Sequence, residues 1–223
     1  MKNSNMYRWT AFFGITLFVL MQAEVPLYFT YTPTPSGTPP PNIILSRILI
    51  DLFIVVGLIG FFSGFKHIIT EAKPAYAWMG TFSFALGSAF AIASLVADSI
   101  QAGGLWLAGD NPVNPTAVGQ GADGALLIYG PINRLLMAGF LIIGGTAVRK
   151  IGLAPAWLGW LAYVFALYNL AFIPTLFYMT TPLDFYSVNG WNIPIAAGLF
   201  FLWVLLISIF FLRKKANMPN ASS

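Results

Sequence analysis

The sequence predicts an all-α membrane protein that crosses a bilayer six times as one helical bundle. Of its 223 residues, 58% are hydrophobic and only 8% are charged, whereas a soluble domain is about one quarter charged. The apolar residues fall into six separate runs, each close to the ~20 residues that a helix needs to cross a hydrocarbon core about 30 Å thick. Lysine and arginine recur in every second connection between these runs. Together the three observations favour a polytopic helical membrane protein.

The six predicted spans belong to one domain that covers residues 1–223. Each run is apolar around most of its circumference, as is typical of a helix surrounded by lipid and by other helices. A chain of this length suits one compact bundle. In chain order, the predicted spans lie near residues 9–29, 43–65, 76–100, 126–147, 156–179 and 191–212.

The basic residues next to the spans predict the orientation of the chain. Lys2 and Arg8 precede the first run. The other lysines and arginines outside the runs follow the second, fourth and sixth runs: Lys66, Lys73, Arg149, Lys150, Arg213, Lys214 and Lys215. Because cytoplasmic loops carry the excess of lysine and arginine, both termini are expected in the cytoplasm, with the protein in the plasma (inner) membrane. An alternative for the first run is a secretory signal with a weak cleavage site at Ala23.

Several kinds of chemistry are excluded by composition. The chain has no cysteine and one histidine, His67, so disulfides, thiol catalysis, cysteine-bound clusters and histidine-rich metal or haem sites are not expected, and we predict no metal and no cofactor. A serine nucleophile paired with a base, an H-E-x-x-H motif and a mid-span lysine for retinal are missing as well. The net charge of +4 comes from bases that flank spans, which indicates membrane topology and no nucleic-acid partner.

Small residues at helical spacing predict close contacts between spans. Gly60 and Gly64 form a G-x-x-x-G pattern on the second span, and Ser83, Gly87 and Ala91 recur every four residues on the third. Such positions allow helix backbones to approach closely in lipid. We expect these faces to pack inside the bundle, with a dimer interface as the alternative.

Charged residues inside the spans are the unusual feature of this chain. Arg47 and Asp51 open the second span in the stretch SRILID, and Glu24, Asp98 and Arg134 lie near ends of the first, third and fourth spans. With a rise of about 1.5 Å per residue, all five fall in the outer half of the membrane, within about 15 Å of its outer boundary. Intramembrane charges usually face the bundle interior and pair with one another. We therefore expect one polar layer shared by at least four helices.

The spacing of these charges suggests how they pair. Arg47 and Asp51 are four residues apart, so they share a helix face and are expected to touch. Arg134 needs a partner from another span, for which Glu24, Asp51 and Asp98 are the candidates. Three acids against two bases leave at least one acid protonated, solvated or available for a cation.

Two uncharged residues complete the candidate ligand-binding set. Tyr129 stands just before Pro131 in the fourth span, and Asn169 lies near the midplane in the fifth. The full set of candidates is Glu24, Arg47, Asp51, Asp98, Tyr129, Arg134 and Asn169.

Three functions are compatible with this layer. The first is a pocket that opens outward and binds a small amphipathic, lipid-like or cationic ligand, with membrane lipids as the other partners. The second is a membrane enzyme acting on a lipid or isoprenoid, with Glu24 or Asp51 as general acid. The third is an accessory subunit whose charges only orient helices. Binding is expected over catalysis, and over transport because neither an internal repeat nor a pair of broken helices is evident.

Two stretches resemble a known family. They are RILIDLFIVVGLIGFF, where an arginine and an aspartate open the second span, and GGTAVRKIGLAPAWLGWLAYV, where a basic turn precedes Pro155 and the fifth span. With them the chain resembles, over most of its length, the six-span bacterial membrane proteins grouped as domain of unknown function 4386. The glycine-rich and proline-rich loops depart from that pattern. The family has no established activity, so the resemblance implies an architecture only.

Overall fold

The structure, a computed structural model, describes residues 2–30, 40–108, 122–177, 185–186 and 192–216. Within these ranges it contains helices and turns but no strand, and six of its helical segments are long and apolar enough to cross a membrane. The predicted all-α fold with six candidate spans is therefore confirmed. The α-helices are α1 (Lys2–Glu24), α2 (Pro41–Ala72), α3 (Ala77–Ala108), α4 (Ala122–Leu127), α5 (Asn133–Ile151), α6 (Ala156–Ala171) and α7 (Asn192–Ala216).

Helix α2 extends seven residues beyond the predicted end of its span at residue 65, because Lys66 and His67 interrupt the apolar run but not the helix. The helix ends at Ala72, and the next residue, Lys73, has an extended backbone with φ −157° and ψ 94°. Pro74 follows directly and disfavours helical backbone in the residue before it. The sequence therefore locates the apolar part of the helix correctly, and the proline sets the actual end.

The fourth span is interrupted where Pro131 falls. Between α4 and α5 the chain forms a wide π-helical turn, Ile128–Ile132, inside which Gly130 has a non-helical backbone with φ −81° and ψ −111°. Proline has no N–H group to donate and its ring displaces the preceding turn, so a regular helix cannot continue through it. Tyr129 and Arg134 lie on either side of this break and contact different neighbouring helices, α3 and α7.

The spans form a closed ring. Each packs against the next in chain order, with α3 followed by α5, and α7 packs back against α1. The rings of Tyr7 in α1 and Phe211 in α7 meet edge to face at 5.4 Å. The beginning of α1 and the end of α7 therefore lie at the same end of the bundle, here called the terminal end. The other is called the opposite end.

Aromatic side chains fill the interior of the helical bundle in the part that lies toward the terminal end. Phe62 contacts Phe140 at a centroid distance of 4.8 Å, and Phe140 contacts Trp203 at 5.8 Å. The indole Nε1 of Trp203 donates to the carbonyl oxygen of Leu158 at 2.9 Å, so this buried polar group is satisfied. We call the fully buried set the aromatic core: Phe61, Phe62, Phe65, Phe140, Phe200, Trp203 and Phe211.

Both predicted small-residue motifs pack inside the bundle. Gly60 and Gly64 on α2 face side chains of α1, and Gly87 on α3 faces α2. Ser83 and Ala91, the other members of the motif on α3, are buried. The interpretation of these faces as contacts within one chain is confirmed.

Helices α5 and α6 approach closely through their backbones. A Cβ atom placed on Gly145 would lie 2.9 Å from the carbonyl oxygen of Gly159. That distance is shorter than an ordinary contact, and neither backbone can rotate away from it. Glycine at position 145 is therefore a requirement of this crossing.

Candidate functional site

The polar site begins where α1 ends. Glu24 is the last residue of α1, and a short 3-10 turn, Val25–Tyr28, follows it with Pro26 near its start. This turn places Tyr28 directly above Glu24, so that the Tyr28 hydroxyl donates to Glu24 Oε1 at 2.8 Å. Glu24 itself is buried.

Arg47 on α2 completes a three-residue contact with the end of α1. Its Nε lies 3.4 Å from Glu24 Oε1, and this is the one ion pair within 4.0 Å in the described part of the chain. The guanidinium carbon of Arg47 also lies 3.5 Å from the centroid of the Tyr28 ring, the geometry of a cation–π interaction. One arginine thus uses both the carboxylate and the aromatic face that α1 presents.

The predicted pair of Arg47 with Asp51 is wrong. Asp51 makes neither an ion pair nor a side-chain hydrogen bond with any described residue, although it lies close enough to Glu24, Asp98 and Arg47 for their charges to interact. The spacing of four residues brings two side chains to one helix face but does not decide between competing partners. Here α1 offers Arg47 a buried carboxylate and a ring together, and Asp51 is left half-buried without a partner.

Asp98 on α3 joins the same group of charges. The Tyr129 hydroxyl donates to Asp98 Oδ1, whereas Asp98 Oδ2 is buried and has no hydrogen-bond partner in the described residues. Asp98 lies within electrostatic range of Glu24 and Arg47. The structure therefore brings five of the predicted site residues together, from α1, α2, α3 and the turn before α5. We call the group the carboxylate cluster: Glu24, Tyr28, Arg47, Asp51, Asp98 and Tyr129.

Charge in the carboxylate cluster is unbalanced. Three carboxyl groups surround one guanidinium, which leaves two excess negative charges when all four groups are ionised. Across the described ranges, no three histidine, cysteine or acidic side chains are arranged to hold a metal ion. The cluster therefore has an excess of negative charge, but its described residues do not form the ligand geometry of a metal site.

Arg134 is separate from the carboxylate cluster, so the predicted pairing of Arg134 with Glu24, Asp51 or Asp98 is wrong. It is 1% exposed, its Nη2 donates to Asn192 Oδ1, and its guanidinium carbon lies 5.2 Å from the centroid of the Phe172 ring. The side chain thus contacts α7 and the end of the α6 region.

The two residues lie on either side of the break at Pro131: Tyr129 contacts Asp98 on α3, and Arg134 contacts Asn192 on α7. Nε and Nη1 of Arg134 have no hydrogen-bond acceptor among the described residues.

Asn169 is buried within the bundle but is not brought to either charged group. Its Nδ2 donates to the carbonyl oxygen of Phe165 at 2.9 Å, one turn earlier in α6, and its Oδ1 has no partner in the parts of the chain described. The amide therefore stays on its own helix.

Sequence reasoning missed three polar residues that take part in these contacts. Asn133 is buried beside Arg134 and donates from Nδ2 to Ser94 Oγ at 3.0 Å. Asn192, the first residue of α7, accepts from Arg134, and Tyr28 adjoins Glu24. Signals for two of them were present: Asn133 precedes Arg134 within an apolar run, and Tyr28 follows Glu24 by four residues.

No protein-family model matches this chain, no curated protein is detectably similar to it, and no solved structure matches it. The resemblance to domain of unknown function 4386 stays a prediction. The function of the site therefore rests on its own geometry.

Proposed function

We propose that this chain is a membrane-embedded binding protein whose carboxylate cluster takes the cationic group of a small amphipathic molecule. One observation carries the proposal: the cluster contains three carboxyl groups and a single guanidinium to balance their charge. Among the described residues, Arg47 pairs with Glu24, Asp51 has no hydrogen-bond or ion-pair partner, and Asp98 has one buried oxygen without a partner. Buried carboxylates without compensation are costly, so a bound cation would stabilise this arrangement.

The surroundings favour an organic ammonium as the cation. Carboxylates bind ammonium groups directly, and aromatic faces add a cation–π contribution of about 0.5–2 kcal/mol. Tyr28 and Tyr129 both donate hydroxyl hydrogen bonds to carboxylates of the cluster, so their rings adjoin the negative groups. A metal ion is less well suited, since three convergent ligands are not found among the described residues.

An apolar tail on the ligand fits the surface next to Asp51. Leu49 and Leu52 on α2 and Val25 after α1 are exposed apolar side chains on the lipid-facing surface. Asp51 is half-buried, belongs to the cluster and directly precedes Leu52 in α2. An alkyl chain lying in the bilayer would therefore let its cationic head reach Asp51 while the tail remains in apolar surroundings.

The aromatic core supports binding without passage through the bundle. Phe62 lies fifteen residues beyond Arg47 on α2, about 22 Å further along the helix. The rings at that depth are fully buried and in mutual contact. A ligand in the carboxylate cluster would meet packed side chains in the direction of the terminal end.

The positions of the basic residues support an orientation with the cluster outside the cell. Lys214 Nζ lies 3.4 Å from the carbonyl oxygen of Gly152, so the base-rich segment at the end of α7 adjoins the base-rich turn after α5. Both belong to the terminal end. By the positive-inside rule, we assign that end to the cytoplasm of a bacterial plasma membrane.

Thermal unfolding in a neutral detergent tests the proposed ligand class. The probes are octyltrimethylammonium, octyl glucoside and octyl sulfate, which share a tail and differ in charge. A ligand at ten times its Kd stabilises the folded state by about 1.4 kcal/mol, which raises the Tm of a protein this size by about 3–6 °C. We expect this rise for the ammonium probe only.

A matched pair of variants locates the effect. Asp51→Asn removes the carboxylate that has no partner, so the fold should remain intact while the ammonium-specific rise in Tm is lost. Glu71→Gln neutralises an exposed acid at the terminal end of the same helix and should leave the rise unchanged. Equal responses of Asp51→Asn and the unaltered chain would contradict the proposal, as would an equal rise with octyl glucoside.

A further inference from the structure

Arg134 is a buried cation without a counter-charge. It is 1% exposed, no carboxylate lies within 4.0 Å of it in the described ranges, and one of its three nitrogens is paired, by donation from Nη2 to Asn192 Oδ1. Nε and Nη1 have no acceptor there. Because Nε carries one hydrogen and Nη1 carries two, three N–H groups of a guanidinium face the interior unsatisfied. A buried charge in that state is strongly disfavoured.

The neighbour that Arg134 contacts increases the local positive potential. Asn192 is the first residue of α7, a helix of 25 residues. The first turn of a helix has N–H groups without intrahelical acceptors, and its aligned peptide dipoles place partial positive charge there. A positively charged guanidinium at a helix N-terminus is unfavourable, because this end of a helix favours negative groups. The two positive groups therefore do not compensate each other, and both attract an anion.

Aromatic rings surround this positive group. The Phe172 ring centroid lies 5.2 Å from the guanidinium carbon, and the Tyr168 hydroxyl is 3.5 Å from the backbone oxygen of Asn192. Buried rings exclude water and so lower the local dielectric constant, which makes an ionic contact here stronger than at an exposed surface. The arrangement combines several donors with an apolar enclosure, as in protein sites that bind phosphate.

We propose that Arg134 and the N-terminus of α7 bind a phosphate oxyanion. The donors without an acceptor among the described residues lie on two nitrogens of the guanidinium, beside the start of α7, so they match an anion with several acceptor oxygens in different directions. The same chemistry is presented by the headgroup of an anionic phospholipid and by free inorganic phosphate. This site is independent of the carboxylate cluster, with which Arg134 shares no contact.

Thermal unfolding in a neutral detergent identifies both the anion and its source. One arm compares inorganic phosphate with chloride at equal ionic strength. The other compares phosphatidylglycerol with diacylglycerol of the same acyl chains, which lacks the phosphate. A rise in Tm with phosphatidylglycerol alone assigns the site to a lipid headgroup, and a rise with both phosphate compounds assigns it to the free anion as well. If neither exceeds its control, the proposal is overturned.

Variants connect the response to the site. Arg134→Gln should weaken phosphate binding on the order of tenfold or more, because hydrogen bonds to a charged group are lost, while Arg213→Gln changes an exposed arginine at the terminal end and should have no effect. Asn192→Asp is the second test, needed if Arg134→Gln fails to fold. It places a carboxylate beside Nη2 of Arg134 and should reduce the response to phosphate in a folded protein. A response to phosphate in Asn192→Asp equal to that of the unaltered chain would refute the assignment.

Discussion

Replacing Tyr28 by phenylalanine and by leucine separates two interactions that join α1 to α2. Tyr28→Phe removes the hydroxyl that donates to Glu24 at 2.8 Å and keeps the ring that lies 3.5 Å from the guanidinium carbon of Arg47. Tyr28→Leu removes both. The difference between the two variants therefore isolates the contact of the ring with the guanidinium.

The exposure of these side chains sets the expected magnitudes. A hydrogen bond to a charged group contributes about 1.5–3 kcal/mol, but Tyr28 is 39% exposed, so solvent screening reduces the expected loss for Tyr28→Phe to about 1 kcal/mol. A cation–π contact contributes about 0.5–2 kcal/mol depending on desolvation. The side chain of Arg47 is 19% exposed, which favours about 1 kcal/mol. Tyr28→Leu should thus cost about 2 kcal/mol in total.

Reversible unfolding in mixed micelles, driven by titration with dodecyl sulfate, measures these free energies. The same two substitutions are repeated in an Arg47→Met background, where the ring has no cation to face. The step from phenylalanine to leucine should then shrink by about 1 kcal/mol. An unchanged step in that background would show that the ring and the guanidinium do not interact, and the reasoning on the Arg47 contact would be refuted.

Two further predictions address packing and topology. Gly145→Ala places a Cβ atom 2.9 Å from the Gly159 carbonyl oxygen and should destabilise the protein by about 1–3 kcal/mol. The control Gly198→Ala meets no atom within 4 Å and should be neutral or slightly stabilising. Equal Tm values for the two variants would contradict the close crossing of α5 and α6. Because the chain has no cysteine, labelling with a membrane-impermeant maleimide can show on which side of the membrane a single introduced cysteine lies. Thr30→Cys should react in intact cells, and Glu71→Cys should react only after lysis. The reverse pattern would mean that the proposed orientation is inverted.

Hydrophobic runs predicted the spans well because the thickness of the hydrocarbon core of a bilayer fixes the length of a membrane-spanning helix. The same rise per residue predicted which charges share a depth, and Glu24, Arg47, Asp51 and Asp98 do lie together. Counting residues along a helix gives only the position of a side chain along the membrane normal. It contains no information on the direction in which a side chain points around the ring.

The two wrong pairings follow from that missing direction. The residue count places Arg134 at a similar depth to the acids, but its side chain faces another side of the bundle, toward Asn192 and Phe172. Arg47 has Asp51 on its own helix face but turns toward Glu24 and Tyr28, which only the packing of α1 on α2 could reveal. Predicting either contact requires the order and rotation of the helices, and these depend on side-chain packing across the whole ring.

The adjacency of α1 and α7 has a consequence for how the protein is made. Helix α1 leaves the ribosome long before its neighbour α7, so the ring stays open until α7 has been synthesised. Glu24 meets Arg47 as soon as two helices are in the membrane, but Arg134 must be inserted before Asn192, its acceptor, exists. The beginning of α1 and the end of α7 lie side by side, so a linker can join them in a circularly permuted protein whose new termini lie in another connection. This variant should form the same ring of helices, although its helices are synthesised in a different order.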